Sequence, residues 1–473
     1  MKILFCSSEV FPFSKTGGLG DIASFLPHGI MKLGHEVKII TPYYKSLEKY
    51  HDKMTFIGRT SITMGGIETI VNYFELVHND LPIIFVQNMH YFERDRLYGY
   101  NDDAERFACF SYAILEGLSI FNYMPDILHI NDWQTGMIPY LLDHHYRHRS
   151  FDYYRIHTLL TIHNLEYQGV FDPYVSRFFN TDFSFDYMHF SAVNFLKSGI
   201  HRASFINTVS PTYRNETLTQ NFGFTLDGAL RNRESQYTGI LNGINYDIFD
   251  PKNDPMIHKN YTSRTIKNKL INKTYLKEKF FLDEDQVPLI GFVGRLAHQK
   301  GIDLMKQTLE EVLEHSNAQV ILMGSGDQSY QEYFEYLNHK FPDRAACYIG
   351  YNEQVAHEIY AGVDLFLMPS LFEPCGLGQM IAMRYGTLPI VRETGGLKDT
   401  VEPFNLYKKS GTGFTFANYN RYEFKDKIFE AINLYNNDKQ TFDLIVKNAM
   451  KKDYSTSKMA LEYEKLYQTI IGG

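Results

Sequence analysis

The chain has 473 residues, which exceeds the usual limit for a single hydrophobic core and predicts two domains. Hydrophobic residues make up 44% and charged residues 22%, as in ordinary soluble globular proteins, and no apolar run is long enough to span a bilayer. The net charge of −8, without a dominant basic block, argues against a general nucleic-acid binder but not against a local basic cleft.

The cysteines and the N-terminal residues indicate a cytoplasmic protein. The start of the chain has only a brief apolar run before Ser7, Ser8 and Glu9, so it predicts a strand and not a signal peptide. The four cysteines lie far apart, which predicts reduced thiols and neither a disulfide framework nor zinc spacing. They are Cys6, Cys109, Cys347 and Cys375.

A glycine-rich loop follows the first predicted strand, Lys2 to Ser7. The loop is Phe13-Ser-Lys-Thr-Gly-Gly-Leu-Gly-Asp21, and a helical pattern follows it as far as Leu33. Pro27 lies within this pattern and predicts either a kink in the helix or the real start of the helix. Such a loop lets the backbone approach an anion, and Lys15 adds a positive charge. The motif is neither a Walker loop nor G-x-G-x-x-G, so a simple tight turn also explains it.

Polar residues follow two later strands of the first half, Asp126 to Ile130 and Leu159 to Ile162. Asp132 could hydrogen-bond a sugar hydroxyl or cap the next helix. His163 could act as a general acid or base, or as a hydrogen-bond donor to a polar ligand. A pair of histidines, His144 and His148, has metal-ligand spacing, but the basic residues around it favour a solvated helix end. Other predicted elements are strands 37–41, 81–86 and 205–209 and a helix over 104–120.

The second half alternates strands and helices, which predicts a parallel, doubly wound sheet. A hinge is predicted at Gly239 to Asn245. The predicted strands are 287–293, 318–323, 345–349, 363–369 and 388–391, and the predicted helices are 302–313, 328–340, 353–361 and 377–384.

Three charged residues stand at predicted strand ends in this half. Arg295 and Lys300 suit a diphosphate, although as isolated residues they could be ordinary surface charges. Glu373 follows the strand that ends at Pro369, where ligands bind in open α/β sheets. It could grip hydroxyls together with the amides after it, or it could be an exposed residue beside a capped helix.

Together these motifs resemble bacterial glycogen synthases and plant starch synthases, in the order of that family. The matching segments are Lys15-Thr-Gly-Gly-Leu-Gly-Asp21, Arg96-Leu-Tyr-Gly99, His129-Ile-Asn-Asp-Trp133, His163-Asn-Leu-Glu-Tyr-Gln-Gly169, Leu241-Asn-Gly-Ile244, Gly294-Arg-Leu with Gln299-Lys-Gly301, Phe372-Glu-Pro-Cys-Gly-Leu377 and Thr394-Gly-Gly-Leu397. The first and last are the most specific, whereas the Arg…Lys and Glu-Pro motifs occur in many GT-B transferases.

The resemblance implies an α/β protein of the GT-B fold, with two Rossmann-like, doubly wound parallel-sheet domains that face each other across a deep cleft. We expect an acceptor-side domain over 1–240, a nucleotide-sugar donor domain over 241–455, and a terminal helix over 456–473 that crosses back to the first domain. The implied reaction transfers glucose from ADP-glucose to the non-reducing 4-hydroxyl of an α-1,4-glucan such as glycogen, with retention of configuration. Neither a metal ion nor another cofactor is implied, and no nucleic-acid or membrane partner is expected.

The family's functional residues carry over to specific positions here. Arg295 and Lys300 would stabilise the leaving phosphate, with Lys15 and the Gly17 and Gly18 amides approaching from the other domain. Glucose would be held by the remaining positions of the motifs, and Tyr351 would stack on the donor base. These glucose-binding positions are Glu373, His163, Asp132, Tyr98, Asn242 and the amides of Cys375, Gly376 and Leu377.

Three positions depart from the family pattern, and none of them removes a charged group. Gly378 stands where many relatives have a threonine that helps to hold the distal phosphate, Gln134 replaces a common histidine, and His298 stands where Thr or Ser is frequent. We expect front-face attack by the acceptor hydroxyl, while a double displacement through a carboxylate stays open.

Other functions remain as alternatives. They are a UDP-glucose-dependent glucan synthase, a nucleotide-sugar epimerase or phosphorylase on the same scaffold, and a weakly active glucan-binding protein. The intact Lys15, His163, Arg295, Lys300 and Glu373 argue against a mere binding protein. The oligomeric state does not follow from the sequence.

Overall fold

A computed structural model of the protein describes residues 1–181, 184–283 and 286–472. The chain divides into two compact units, each with its own parallel sheet. The first unit is Met1–Ile240 together with Thr456–Gly473, and the second unit is Leu241–Ser455.

The first unit is built on a long, mostly parallel sheet. Its strands run in the order β12-β11-β7-β6-β1-β2-β5-β4-β3, and the order of the parallel strands reverses between β1 and β6. A β4–β3 hairpin is added antiparallel at one edge, and β8, β10 and β9 form a separate small antiparallel sheet. The strand bounds are β1 (Lys2–Cys6), β2 (Glu36–Pro42), β3 (Thr55–Met64), β4 (Ile67–His78), β5 (Leu81–Gln87), β6 (Ile127–Asn131), β7 (His157–Ile162), β8 (Val170–Phe171), β9 (Met188–His189), β10 (Ala192–Asn194), β11 (Phe205–Thr208) and β12 (Tyr237–Gly239).

Helices connect the parallel strands of this sheet. They are α1 (Gly18–Lys32), α2 (Met89–Phe92), α3 (Asp103–Ile120), α4 (Ile138–Leu141), α5 (Phe151–Tyr154), α6 (Phe195–Arg202), α7 (Pro211–Thr217) and α8 (Asp227–Arg231). The longest, α3, is buried along most of its length, as its apolar sequence predicts.

The second unit has a parallel sheet in the order β15-β14-β13-β16-β17-β18, which is the strand order of a Rossmann fold. The order reverses between β13 and β16. The strands are β13 (Leu289–Leu296), β14 (Gln319–Gly326), β15 (Ala345–Ile349), β16 (Leu365–Met368), β17 (Leu388–Arg392) and β18 (Phe414–Phe416). The helices are α9 (Lys269–Lys279), α10 (Ile302–Lys306), α11 (Leu309–His315), α12 (Gln328–Lys340), α13 (Glu353–Gly362), α14 (Gly378–Arg384), α15 (Gly395–Thr400), α16 (Arg421–Asn437) and α17 (Lys439–Met450).

The last helix, α18 (Thr456–Gly472), belongs to the core of the first unit, where it packs against α1. The two helices approach so closely that a Cβ on Gly29 would lie 2.9 Å from the Cβ of Ala460. The apolar side chains that α18 buries in this core are Met459, Ala460, Tyr463, Leu466, Tyr467 and Ile470.

A buried chain of polar groups also ties α18 to the sheet. Tyr467 Oη lies 2.7 Å from His129 Nδ1, and His129 Nε2 lies 2.6 Å from Thr161 Oγ1. Thr161 donates to Asn207 Oδ1 (2.5 Å), and Asn207 donates to the Tyr463 hydroxyl (2.9 Å). These contacts satisfy side chains that would otherwise be costly to bury.

The expected α/β class with two doubly wound sheets is confirmed, with local differences. The expectation that Pro27 marks the start of a helix is wrong, because α1 begins at Gly18 and continues past Pro27. The predicted single helix over 302–313 is two helices, α10 and α11. The β3–β4 hairpin and the small β8-β10-β9 sheet were not expected from the sequence.

Candidate active site

In the second unit, the candidate site lies where the strand order reverses. Arg295 lies at the carboxyl end of β13, the loop after β13 carries Lys300, and the loop after β16 carries Glu373. Both loops leave the carboxyl ends of neighbouring parallel strands, which is where ligands bind in open α/β sheets. The fold therefore brings Glu373 to the end of the sheet that carries Arg295 and Lys300, although the sequence places it more than seventy positions after them.

Lys300 and Glu373 form an ion pair in which Lys300 Nζ lies 2.6 Å from Glu373 Oε2. Ser370 donates to the same carboxylate oxygen at 3.1 Å. The Glu373 side chain is 6% exposed and that of Lys300 20%, so water screens the pair less than it would on the open surface. This arrangement fixes a carboxylate and an ammonium side by side, ready to contact hydroxyl groups and anionic oxygens.

Arg295 is exposed, and a neighbouring amide orients it. Its Nη2 donates to Gln299 Oε1 at 3.1 Å, while Gln299 Nε2 donates to the Phe372 carbonyl at 3.4 Å. The Gln299 carbonyl also accepts from the Leu371 N–H at 2.9 Å. Gln299 thus joins Arg295, at the end of β13, to the Glu373 loop, a role that the sequence analysis did not assign to it.

Two glycines let other backbone segments approach these loops. Gly301 has φ +72°, and a Cβ there would lie 2.1 Å from the Pro369 carbonyl oxygen. Gly395 has φ +43°, and its Cβ would lie 2.0 Å from the Glu373 carbonyl oxygen. Backbone packing around the Glu373 loop therefore explains the glycine of the Gln-Lys-Gly motif and the first glycine of the Thr-Gly-Gly-Leu motif.

The residues after Glu373 lead into α14. Cys375 is buried, which raises the pKa of its thiol. Gln379 Nε2 donates to the carbonyls of Cys375 and Gly376, at 3.1 and 3.0 Å. This contact holds the turn from Cys375 through Leu377, as Gly376 adopts φ +72°.

Gly378 sits in a tight pocket at the start of α14. A Cβ at this position would lie 3.2 Å from the Phe366 ring, 3.3 Å from Met368 Sδ and 3.4 Å from the Tyr360 hydroxyl. The glycine at this position is thus matched by large neighbours, so the threonine that the family resemblance leads us to expect here would force those side chains to shift.

Two further predicted residues lie at other strand or loop positions of this unit. Asn242 is 6% exposed, and within the described ranges its Oδ1 has no hydrogen-bond partner. An amide oxygen buried in this way suits a polar ligand atom. Tyr351 follows the edge strand β15, which β14 separates from β13, and this residue is 67% exposed.

The first unit also places its predicted residues at the point of strand-order reversal. The glycine loop follows β1, Asp132 follows the neighbouring β6, and His163 follows β7. The parallel register of these strands brings their carboxyl ends to one edge of the sheet. The two units therefore use the same principle to assemble their candidate site residues.

Asp132 is held in a strained backbone conformation, with φ +54° and ψ −171°. Its Oδ1 accepts from the His163 N–H at 2.7 Å. Burial raises the pKa of Asp132 to about 7, against the lowering effect of the His163 and Asn164 N–H groups, and the charge of Glu9 raises it further. This carboxyl group therefore titrates near neutral pH and can accept or donate a hydrogen bond there.

His163 is a neutral group in this setting. Burial lowers the pKa of its imidazole to about 3. Nε2 lies 2.9 Å from Asn131 Oδ1, so we assign the proton to Nε2 and leave Nδ1 as an acceptor. Of the roles considered from the sequence, a hydrogen-bonding role fits this geometry better than a cationic acid.

The glycine loop is braced by two carboxylates. Lys15 Nζ pairs with Asp21 at 2.8 Å, and the Gly17 N–H donates to Glu9 Oε2 at 3.3 Å. A Cβ on Gly17 or on Gly18 would meet no atom within 4 Å, and neither has a positive φ. Packing does not require glycine at these two positions, whereas the close approach of a ligand to the backbone would.

Tyr98 is held beside the glycine loop by a hydrogen bond to Glu9. The Tyr98 hydroxyl donates to Glu9 Oε1 at 2.9 Å and lies 2.7 Å from Ser8 Oγ. Burial, then the charge of Glu9, raises the pKa of Tyr98, so the phenol is neutral. The sequence analysis missed Glu9, and the only available signal was an acidic residue at the end of the first strand.

No metal-binding cluster of three or more His, Cys, Asp or Glu side chains occurs in the described part of the chain. The expected solvated helix end at His144 and His148 fits the structure. His144 is exposed, stacks on Tyr140, and its Nδ1 lies 2.8 Å from the Tyr140 carbonyl. None of the helices in the described ranges is both long and apolar enough to cross a bilayer.

Two Rossmann-type units with charged side chains at both strand-order reversals define a glycosyltransferase of the GT-B fold. Residues 2–232 match the family model for the starch synthase catalytic domain, and residues 274–448 match that for glycosyl transferases group 1. The chain is 61% identical to a glycogen synthase of Acholeplasma laidlawii, over 100% of this chain and 99% of that protein. It is 43% identical to a glycogen synthase of Bacillus subtilis, over 99% and 98%. The chain belongs to the glycogen synthase family.

Solved structures agree with this assignment. The catalytic domain of Starch Synthase IV from Arabidopsis thaliana, bound to ADP and acarbose, matches with a TM-score of 0.90 and 32% identity, over 100% of this chain and 99% of that one. Sucrose-phosphate synthase from Thermosynechococcus elongatus matches with a TM-score of 0.63 and 17% identity, over 100% and 99%, which shows the fold alone. The resemblance identified from the sequence motifs is confirmed.

Proposed function

We propose that the protein is a glycogen synthase that transfers glucose from ADP-glucose to the non-reducing 4-hydroxyl of an α-1,4-glucan, with retention of configuration and release of ADP. The observation that carries the proposal is the Lys300–Glu373 pair at the switch point of the second unit, with Arg295 at the end of the adjoining strand β13. Family membership over the whole chain adds to this geometry.

In the proposed reaction, the bond between glucose C1 and the β-phosphate oxygen breaks and the electron pair stays with the phosphate. The acceptor O4 bonds to C1 on the same face, and its proton passes to the departing phosphate oxygen. Arg295 and Lys300 stabilise the negative charge that grows on that phosphate, as preorganised donors do in other enzymes. These two positive charges take the place of a metal ion, and we assign no metal ion or other cofactor to the reaction.

The carboxyl groups have different proposed roles. Glu373 binds glucose hydroxyls, a role supported by its pairing with Lys300 and Ser370, which holds it in place. Asp132 and His163 bind the sugar from the first unit, supported by their shared hydrogen bond at the strand ends. A double displacement through Glu373 remains the alternative mechanism, and the trapping of a glucosyl-enzyme would favour it.

The donor is proposed to be ADP-glucose, since the similar starch synthase structure was solved with ADP bound. Tyr351 presents an exposed ring on which an adenine could stack. The same ring would accept uracil, so UDP-glucose is the alternative donor.

Nucleotide release tests the proposal directly. Purified protein is incubated with glycogen and either ADP-glucose or UDP-glucose, with a chelator present. Glucan-dependent ADP release, with new α-1,4 linkages that β-amylase digests, is the expected result. Release of UDP alone would change the donor, loss of activity on chelation would overturn the cofactor proposal, and absence of release with both donors would overturn the function.

Two variants test whether Lys300 takes part in the reaction. Lys300→Ala should abolish most of this release, because the leaving phosphate loses a charge-assisted contact. Lys306→Ala replaces an exposed lysine on the neighbouring helix and serves as the matched control. Equal activity in the two variants would show that Lys300 does not contact the donor.

A further inference from the structure

Glu9 is a buried carboxylate on which donors from two separate segments converge. Its side chain follows β1 and is 3% exposed. The Thr16 N–H donates to it at 2.6 Å and the Thr16 hydroxyl at 2.5 Å. The Gly17 N–H (3.3 Å) and the Tyr98 hydroxyl (2.9 Å) complete the set.

These contacts replace an ion pair. The neighbouring cation, Lys15, pairs with Asp21 and leaves Glu9 to be stabilised by neutral donors. Burying a carboxylate costs free energy that such hydrogen bonds offset. Glu9 thus holds the glycine loop and Tyr98 in a fixed position relative to each other, because both donate hydrogen bonds to the same carboxylate.

Glu9 also divides the amides of the glycine loop into two groups. Those of Thr16 and Gly17 bind the carboxylate, whereas Gly18 and Leu19 begin the first turn of α1. An anionic ligand is repelled by the carboxylate at the first pair and attracted by the N–H groups of the helix start at the second, where Lys15 shares its charge with Asp21. The open space beside Gly18 agrees with this direction of approach.

We propose that Glu9 is a positioning residue for donor binding: it fixes the Lys15–Gly18 loop against Tyr98 and directs the phosphate towards the Gly18 side of the loop. This inference rests on the proposed function and assigns to the first unit a residue outside the set carried over from the family. Glu9 acts through the loop and does not itself touch the substrate.

The charge of Glu9 reaches Asp132 as well, which supplies a second readout. Of the titratable groups near Asp132, His163 has a pKa lowered to about 3 and Tyr213 has a raised pKa, so both are neutral near pH 7. Burial is the main cause of the raised pKa of Asp132, and Glu9 is the charged group that adds to it. Removal of its charge should therefore lower the pKa of Asp132.

Glu9→Gln tests the inference because it keeps the size of the side chain and removes its charge. One of the two carboxylate oxygens becomes an NH₂ group that faces donors, so the loop loses contacts. We expect the KM for ADP-glucose to rise roughly tenfold or more, the KM for glycogen to stay within about twofold, and the pH midpoint assigned to Asp132 to move to lower pH.

Two comparison variants separate this role from a loss of stability. Thr16→Val removes one donor to Glu9 and keeps the β-branched shape, so a smaller rise in the ADP-glucose KM is expected, with no shift in pH midpoint. Glu116→Gln alters another carboxylate of the first unit that accepts from a tyrosine, Tyr146 (2.7 Å), and should change neither quantity. A merely structural role for Glu9 predicts a lower melting temperature with donor KM and pH midpoint unchanged, and that result would overturn the inference.

The wild-type protein in the same assay distinguishes a failure of the inference from a failure of the proposed function. If the wild type releases no nucleotide, the function is refuted, and calorimetric titration with ADP then decides the inference. Weaker ADP binding by Glu9→Gln than by the wild type would support it, and equal binding, or no binding by either protein, would reject it. If Glu9→Gln fails to fold, Thr16→Val carries the same decision through its donor KM.

Discussion

Replacing Gly18 with alanine separates the stability of the first unit from its ability to bind a ligand. The added methyl group meets no atom of the protein within 4 Å, and Gly18 is the first residue of α1. Alanine is preferred over glycine in a helix by up to about 1 kcal/mol, so the protein should fold normally, with a melting temperature unchanged or raised by up to roughly 4 °C.

The same methyl group should impair catalysis. If a phosphate oxygen accepts a hydrogen bond from the Gly18 amide, the methyl group displaces it, and the loss of one charge-assisted bond costs about 1.5–3 kcal/mol. That free energy corresponds to a roughly 10- to 150-fold decrease in kcat/KM for ADP-glucose. The assay is ADP release at varied donor concentration, together with a thermal melt.

Gly228→Ala is the matched control for this experiment. Gly228 is also helical, and its added Cβ would approach only the end of the flexible Arg231 side chain, at 3.8 Å. We expect it to leave kcat/KM nearly unchanged and the melting temperature unchanged or slightly raised, as for Gly18→Ala. If Gly18→Ala keeps kcat/KM within about twofold of the wild type, no ligand reaches the backbone at Gly18, and the interpretation of the glycine loop is refuted.

Three further variants test the remaining site residues. Burial raises the pKa of Asp132 to about 7, so the contribution of this residue to stability is present at acidic pH and is lost as pH rises through 7. The Asp132→Asn variant should therefore melt at a higher temperature than the wild type at pH 8 but not at pH 4. Equal differences in melting temperature at both pH values would contradict this prediction. Lys300→Ala should lower kcat/KM about 100-fold or more, because the leaving phosphate loses a stabilising positive charge and Glu373 stays buried without its cation. A decrease of less than about tenfold would exclude that role. Gly378→Ala should lower the melting temperature, because its Cβ lies 3.2 Å from the Phe366 ring, and should change kcat less than about tenfold; a thermal melt and a rate measurement check both.

The regular alternation of the second unit made its fold predictable from the sequence. Short apolar strands such as β15 and helices such as α12 have strong periodic patterns and clear ends, and the structure gives them the predicted bounds. The division between α10 and α11 was not predictable, because neither Gln307 nor Thr308 is a helix breaker and the apolar spacing continues across them. Tertiary packing decides such boundaries.

The candidate site was predictable only where a charged residue stands in a motif. Lys300 and Glu373 belong to segments that the sequence marks, and the fold brings them into contact. The role of Glu9 depends on a partner distant in the chain, Tyr98, and the role of Gln299 depends on the geometry of its side chain beside Arg295. A single sequence contains no local signal for the contact between Glu9 and Tyr98, because only the fold brings these distant residues together.

The position of α18 in the core of the first unit has a consequence for biosynthesis. The first 240 residues, and then all of the second unit, emerge from the ribosome before α18 is synthesised. This helix contributes Tyr463 and Tyr467 to the core of the first unit. Until then the apolar surface that this helix covers, and the polar chain through His129, lack their final partners. Nascent chains should therefore pass through a stage at which the second unit is folded and the first is still vulnerable to proteases and dependent on chaperones.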